Sequence, residues 1–302
     1  MEKKNFLIRL PLACNFDCLF CFLDGSGRDG SKAAELDVYL RTIDSIPDKE
    51  MCHLVLSGGE PTLFRPLPFL VAYAKQSGIG VVEIQTNALR CYYKDYVKRL
   101  KEAGLDAALV GLHAHTEKTF DRLTQTTGHL PRVLQGIENL FRYRIRVSFN
   151  HTITTLTFRE LPAQTRFLVS HFPACRSLFF TLAYPCGTCW ANKRIIPRAS
   201  AVAPYFLEAL RIARAEKVPF RIPHCGMPGF PLCLLPLDGR DDPEGLISSQ
   251  RKLISSSEFP CANIKATRCR LCVYDHVCIG IASNYKKLYG LGEFEPRREK
   301  GS

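Results

Sequence analysis

Six short apolar stretches, each followed by an amphipathic run, constrain this chain more than any other feature. They are Phe6–Leu10, His53–Leu56, Val81–Gln85, Ala107–Leu112, Arg146–Asn150 and Leu178–Leu182. Runs with helical spacing of apolar residues lie between or after them, near Ala33–Ile46, Leu67–Gln76, Tyr92–Glu102, Leu130–Phe141 and Phe158–His171. The stretches have the length of buried strands, and the runs have the period of helices with one apolar face. This alternation predicts an α/β fold in which helices cover a parallel sheet. Polar residues recur where the strands should end: Thr86 and Asn87, His113 and His115, Asn150 and Thr152, then Tyr184 to Cys186. Barrel-like folds build their sites at such ends.

A further helix is expected from Ala199 to Glu216, and beyond about residue 220 the chain becomes rich in Pro, Gly and Cys. A boundary is therefore expected near residue 220, dividing a core over 1–220 from a Cys-rich segment over 221–302 with a tail from Arg297. The 302 residues are 46% hydrophobic, enough for a sizeable core, and no stretch is long and apolar enough to span a membrane. Met1 to Lys4 lead straight into the first strand without the pattern of a signal peptide, so the expected location is the cytoplasm. Fourteen cysteines in such a chain point to metal rather than to disulfides. The net charge of +12 suits an acidic or phosphorylated partner, or a solvated basic surface.

Cys14, Cys18 and Cys21 form a C-x3-C-x2-C run just after the first strand, with no fourth cysteine close by. Three thiolates can hold three irons of a [4Fe–4S] cube and leave the fourth iron open to a ligand. The second motif, Ser57-Gly58-Gly59-Glu60-Pro61-Thr62, follows the second strand. Its glycines allow close backbone approach, and Glu60 offers an acceptor for an ammonium group.

On these two motifs, and on Phe20 just before the last cysteine, the chain resembles the radical S-adenosylmethionine (SAM) superfamily over most of residues 5–280. The resemblance implies a partial (β/α)6 TIM-like barrel, open at one side. It implies SAM bound to the open iron, reductive cleavage to a 5′-deoxyadenosyl radical, and hydrogen abstraction from substrate. It also implies that Gly58, Gly59, Glu60 and Pro61 hold the methionine end, with Thr86 and Asn87 nearby. Phe20 would approach the adenine, and Asn150 would bond the ribose or carboxylate. His113, and less so His115, are acid–base candidates because histidine titrates near neutrality.

Distally, Cys269, Cys272 and Cys278 make a C-x2-C-x5-C pattern that argues for a second metal centre, zinc or an auxiliary cluster. This segment resembles the SPASM or shorter twitch extensions of radical SAM maturases. The further cysteine of the full SPASM pattern is replaced by Ala282, so one auxiliary [4Fe–4S] cluster is expected. Its fourth ligand is expected to be Cys233, then Cys261, then Cys225. Cys52, Cys91 and Cys175 read as buried hydrophobes, and Cys186-x2-Cys189 as a redox or metal pair or a tight turn.

The leading functional expectation is maturation of a ribosomally made peptide or small protein by oxidation, cross-linking or epimerisation. A separate recognition protein and a one-electron reductant such as flavodoxin or ferredoxin would assist. The alternatives are a small molecule or nucleotide substrate, and an iron–sulfur protein of electron transfer or redox sensing. The chain carries no recognisable RNA-binding motif, so nucleic acid is not the expected substrate.

Overall fold

The computed structural model describes residues 4–23, 36–222, 230–235, 252–253 and 262–298. Six strands carry the sheet: β1 (Lys4–Arg9), β2 (Cys52–Ser57), β3 (Val81–Thr86), β4 (Ala107–Gly111), β5 (Arg146–Ile153) and β6 (Leu178–Leu182). Two-residue strands β7 (Phe220–Arg221) and β8 (Lys252–Leu253) extend its ends. The order is β8-β1-β2-β3-β4-β5-β6-β7, and every neighbouring pair is parallel. This is the expected half-barrel.

Helices α1 (Leu36–Asp44), α2 (Leu67–Gln76), α3 (Lys94–Glu102), α4 (Glu117–Thr124), α5 (Leu130–Arg142), α6 (Leu161–His171), α7 (Gly187–Ala191) and α8 (Ala199–Ala215) accompany the sheet. The Tyr92–Glu102 pattern begins differently from its reading. A 3-10 turn over Leu89–Tyr92 precedes α3, because Tyr93 is extended at φ −78°, ψ 101° and interrupts the helix. β5 runs to Ile153, three residues beyond the expected end at Asn150. No helix among the described residues is long and apolar enough to cross a membrane.

The two faces of the strands differ in character. Phe6 and Ile8, Leu54 and Leu56, Val82 and Ile84, Ala108 and Val110, and Val147 and Phe149 are buried on the face covered by helices. Each Val, Leu, Ile or Phe among them contributes about 1.5–3 kcal/mol by leaving water, and Ala108 less. The opposite positions Ser57, Gln85, Leu109, Gly111, Asn150, Thr152, Phe179 and Thr181 line an internal cavity. That concave face is too polar to pack dry, so an open half-barrel suits it better than a filled one.

The distal residues are rich in Pro, Gly and Cys. They contain a small antiparallel pair, β9 (Asn263–Ile264) with β10 (Ile281–Ala282), and a helix α9 (Ser283–Tyr289). Long-range contact rather than periodicity holds α9. The buried Tyr285 hydroxyl accepts from Ala199 N–H at the start of α8 and donates to Glu293. Phe230 stacks on Phe206 of α8 at 4.2 Å between ring centroids.

One buried group resists this pattern. His151 occupies a helix-covered position of β5, 1% exposed, and neither ring nitrogen makes a hydrogen bond of good geometry among the described residues, the Leu112 backbone acting on it only weakly. Burial, with the neighbouring His113 adding, pushes it down to about 3. Between that value and the ordinary histidine range only the unfolded chain takes up the proton, so stability falls as pH drops through this window. His151→Leu is expected to raise stability by about 1 kcal/mol at pH 7.5. The gain should grow by about 2 kcal/mol at pH 5. Thermal midpoints at the two pH values test this; a gain that does not grow on acidification refutes it.

Candidate active site

Cys14, Cys18 and Cys21 lie on a loop that crosses the C-terminal ends of the strands, and all three line a cavity of about 260 Å³. The same cavity is lined by Gly58, Gly59, Glu60, Thr86, Asn87 and His113. The loop is held by its backbone. Asp17 and Leu19 N–H donate to the Thr124 and Leu123 carbonyls at the end of α4, at 3.0 and 2.9 Å. The Cys21 and Leu23 carbonyls accept from Cys189 and Thr188 of α7, at 2.8 and 3.1 Å.

The two glycines were expected to let a ligand approach. What they admit here is the cysteine loop itself. Gly58 has φ +139°, and a Cβ on Gly59 would overlap the carbonyl oxygens of Leu12 and Ala13. Gly59 and Glu60 N–H donate to the Pro11 and Ala13 carbonyls at 3.2 and 2.8 Å. The turn after β2 and the segment leading into Cys14 therefore share one backbone seam.

Glu60 is 2% exposed. Its Oε1 accepts from Thr62 N–H at 3.0 Å, from the Thr62 hydroxyl at 2.6 Å and from the Thr86 hydroxyl at 2.6 Å. Its Oε2 accepts from Asn87 N–H at 2.7 Å. Burial pushes this carboxyl above its usual range, and the four donors pull against that shift. The carboxylate ties the turn after β2 to the turn after β3. Asn87 continues the chain of contacts: its side-chain N–H donates to Asn15 Oδ1, beside Cys14, at 2.7 Å. Pro61 opens the 3-10 turn that Glu60 caps.

Phe20 packs edge-on against His113 with centroids 4.5 Å apart, and both line the cavity. His113 Nδ1 accepts from Thr152 N–H at 3.0 Å, so a neutral ring carries its proton on Nε2. Burial pushes His113 down to about 3, and its residual exposure is to the cavity. The ring is a neutral hydrogen-bonding group near pH 7. His115 is not in the cavity; its Nδ1 meets Gln164 Oε1 of α6 at 3.1 Å. Asn150 lines the cavity, its Oδ1 accepting from the Thr181 hydroxyl at 3.2 Å. Tyr184 lines it too, its hydroxyl pushed up to about 12 by burial. Gln85, Leu109, Phe179 and Thr181 were not singled out from the sequence. Their signal was strand alternation, which puts them on the concave face beside Asn150.

The distal cysteines converge on a second, small pocket, lined by Cys233, Cys269, Cys272 and Cys278. Burial pushes Cys233 up to about 12, and the thiols of Cys278, Cys272 and Cys269 add to the rise. Arg297 donates to the Cys233 carbonyl at 3.1 Å and the Leu235 carbonyl at 3.0 Å, tying this segment to the C-terminal one. Cys225 and Cys261 lie outside the described residues. Ala282 is buried against Tyr184 and Cys186.

Among the described residues no three histidine, cysteine, aspartate or glutamate side chains converge tightly enough for a single ion. A four-iron cube spreads its thiolates wider than one ion does. The partly exposed thiols of Cys14, Cys18 and Cys21 around one common space fit such a cube.

Cys186 and Cys189 are not bonded to each other. Cys189 is free and buried. Burial pushes Cys189 up to about 12, with Cys21 adding, so its thiol stays protonated. Cys52, Cys91 and Cys175 are free and buried.

The family model described as "Radical SAM superfamily" matches residues 8–165. Similar curated proteins include a "Probable GTP 3′,8-cyclase" of Saccharolobus islandicus, 36% identical over 136 residues, 45% of this chain and 43% of that protein. Another of the same name, from Sulfolobus acidocaldarius, is 32% identical over 154 residues, 51% of this chain and 48% of that protein. The chain spans about half the length of the curated relatives it matches. Among solved structures, the FeFe-hydrogenase maturase HydG from Carboxydothermus hydrogenoformans gives a TM-score of 0.57 at 14% identity, covering 82% of this chain and 58% of that one. Methylornithine synthase (PylB) gives 0.53 at 12%, covering 73% and 66%. At such identities the likeness shows the fold alone.

Gly59→Ala is expected to separate the turn from the cysteine loop, costing about 2 kcal/mol or more. Iron bound by reconstituted protein should fall accordingly. Glu60→Ala should lower iron loading as well as SAM affinity, since the carboxylate braces the loop through Asn87. Full iron loading of both variants would contradict the brace.

Proposed function

Because the chain belongs to the radical SAM superfamily, we propose that its cavity takes S-adenosylmethionine beside a [4Fe–4S] cluster held by Cys14, Cys18 and Cys21, and acts on a small molecule such as a nucleoside. The observation that carries this reading is a single cavity. The thiols of Cys14, Cys18 and Cys21, the glycine turn and a floor of amides, hydroxyls and aromatic rings share it. When bound, the cluster supplies the one electron that opens a carbon–sulfur bond of SAM. The residues of the chain orient and shield. Gly58 to Pro61 and the Asn87–Asn15 contact keep the turn and loop at fixed separation. Phe20 and His113 form an aromatic wall on which an adenine ring can rest.

The names of the curated relatives move the substrate away from a ribosomal peptide and toward a nucleotide-like molecule. The cavity supports a base and sugar. Gln85, Asn150 and Thr181 offer hydrogen-bond donors and acceptors, and Phe179 offers an aromatic face. A triphosphate finds no Lys or Arg among the described lining residues. The distal thiols are proposed to hold one auxiliary cluster, in a segment of the SPASM or twitch kind.

Two experiments test the reading. Anaerobically reconstituted protein with SAM and dithionite should form 5′-deoxyadenosine. Deuterium should pass into it from a labelled nucleoside substrate and not from a peptide; transfer from peptide alone sinks the substrate class. Separately, Cys233→Ser and Cys272→Ala should each remove about half the iron while the SAM-induced spectral change persists. Cys18→Ala should abolish that change and keep the remainder. A Cys233→Ser protein with full iron content would exclude Cys233 as a ligand.

A further inference from the structure

A second concavity lies on the flank of the cysteine loop, between α3, the start of α5 and the 3-10 turn Leu89–Tyr92. It encloses about 520 Å³, and its walls include Asn15, Arg90, Tyr92, Tyr96, Arg99 and Arg132. The guanidinium of Arg90 lies 5.0 Å and that of Arg99 5.9 Å from the Tyr96 ring centroid, and that of Arg132 lies 5.5 Å from the Tyr92 centroid. A guanidinium held over an aromatic ring still has N–H groups to offer a carboxylate. None of these arginines forms an ion pair among the described residues, and Asp95 is the sole acid among the described lining residues.

The cleft adjoins the chemistry. Asn15 faces it, while the preceding residue, Cys14, lines the catalytic cavity. Its floor is joined to the brace as well, since the Tyr96 hydroxyl donates to the Thr62 carbonyl at 3.2 Å. On the reading of the preceding subsection, each reductive cleavage needs one electron from outside. SAM and substrate fill the cavity, so a carrier must approach the thiols from another side. The cleft is open and basic, and it is rimmed by Tyr92 and Tyr93, 42% and 62% exposed. Exposed Lys94 and Lys101 extend the positive surface along α3. Arginine and tyrosine dominate protein interfaces, and a small anion has no use for the extended basic rim.

We propose that this cleft docks an acidic one-electron carrier protein. The carrier gives up one electron and the cluster beside Asn15 gains it; docking itself makes and breaks no covalent bond. Charge complementarity with a chain of net charge +12 favours such a partner and speeds its encounter.

The test uses reconstituted holoprotein and a flavodoxin as carrier. Its binding constant is measured by calorimetry across ionic strength, and 5′-deoxyadenosine formation is followed with flavodoxin or dithionite as reductant. The double variant Arg99→Glu, Arg132→Glu changes two exposed side chains. It should raise the flavodoxin dissociation constant by about tenfold or more and flatten its salt dependence. Flavodoxin-supported turnover should fall in parallel, with iron content and the dithionite-supported rate kept. Arg90→Gln should act in the same direction more weakly, and Arg211→Glu on α8 should do nothing. The proposal is overturned if flavodoxin affinity stays within about twofold of the parent. It is also overturned if the variants lose binding of inorganic pyrophosphate alone, which would make the cleft a small-anion site. Absence of 5′-deoxyadenosine from the parent protein under dithionite would count against the catalytic reading instead, while the binding constants still judge the docking surface.

Discussion

The geometry of the site depends on one buried carboxylate. Glu60 has no cation beside it in the contacts described, yet both oxygens are occupied by donors from the turns after β2 and β3. A carboxylate removed from water without such donors would be strongly destabilising. Hydrogen bonds to a charged group are worth about 1.5–3 kcal/mol each, so the two turns hold one relative position firmly. Asn87 passes that position on to Asn15, and the glycine seam passes it to the segment before Cys14. The thiols are thus placed by strand ends rather than by the loop's own preferences, which suits a cofactor that must meet its ligand in one orientation.

Burial sets the character of the histidines in the same way. His113 and His151 are neighbours, with ring centroids 6.2 Å apart, and both are held neutral. One borders the cavity and is positioned by Thr152 N–H; the other sits in the apolar layer. The cavity is therefore bordered by one imidazole that burial keeps uncharged near pH 7.

The fold was legible because strand and helix periods are local. β2, β3, β4 and β6 and helix α2 fall on or within a residue or two of their expected limits. The cysteine loop and the glycine turn were legible for a related reason: each is a contiguous motif. What escaped the sequence is long-range. Nothing local to Glu60 names Thr86 and Asn87 as its partners, because that contact spans two turns of the sheet. The meeting of Cys233 with Cys269, Cys272 and Cys278 depends on the path of the intervening chain. Gln85 and Thr181 were hidden inside stretches read only for their apolar content. His115 looked equivalent to His113 from its position, but the backbone after β4 turns it toward α6.

The attachments of the cysteine loop have one more consequence. Near one end it is stitched to the turn after β2, and near the other to α7, which follows β6. A Cβ on Gly187 would overlap the Phe22 and Leu23 carbonyls, so that second stitch is as close as the first. The loop therefore works as a tie rod across the curved sheet. Any spreading of the half-barrel, whether from heat or from an oversized guest, would load this rod and be felt at the sulfur atoms. The span of the aperture and the spacing of the thiols are then a single mechanical quantity.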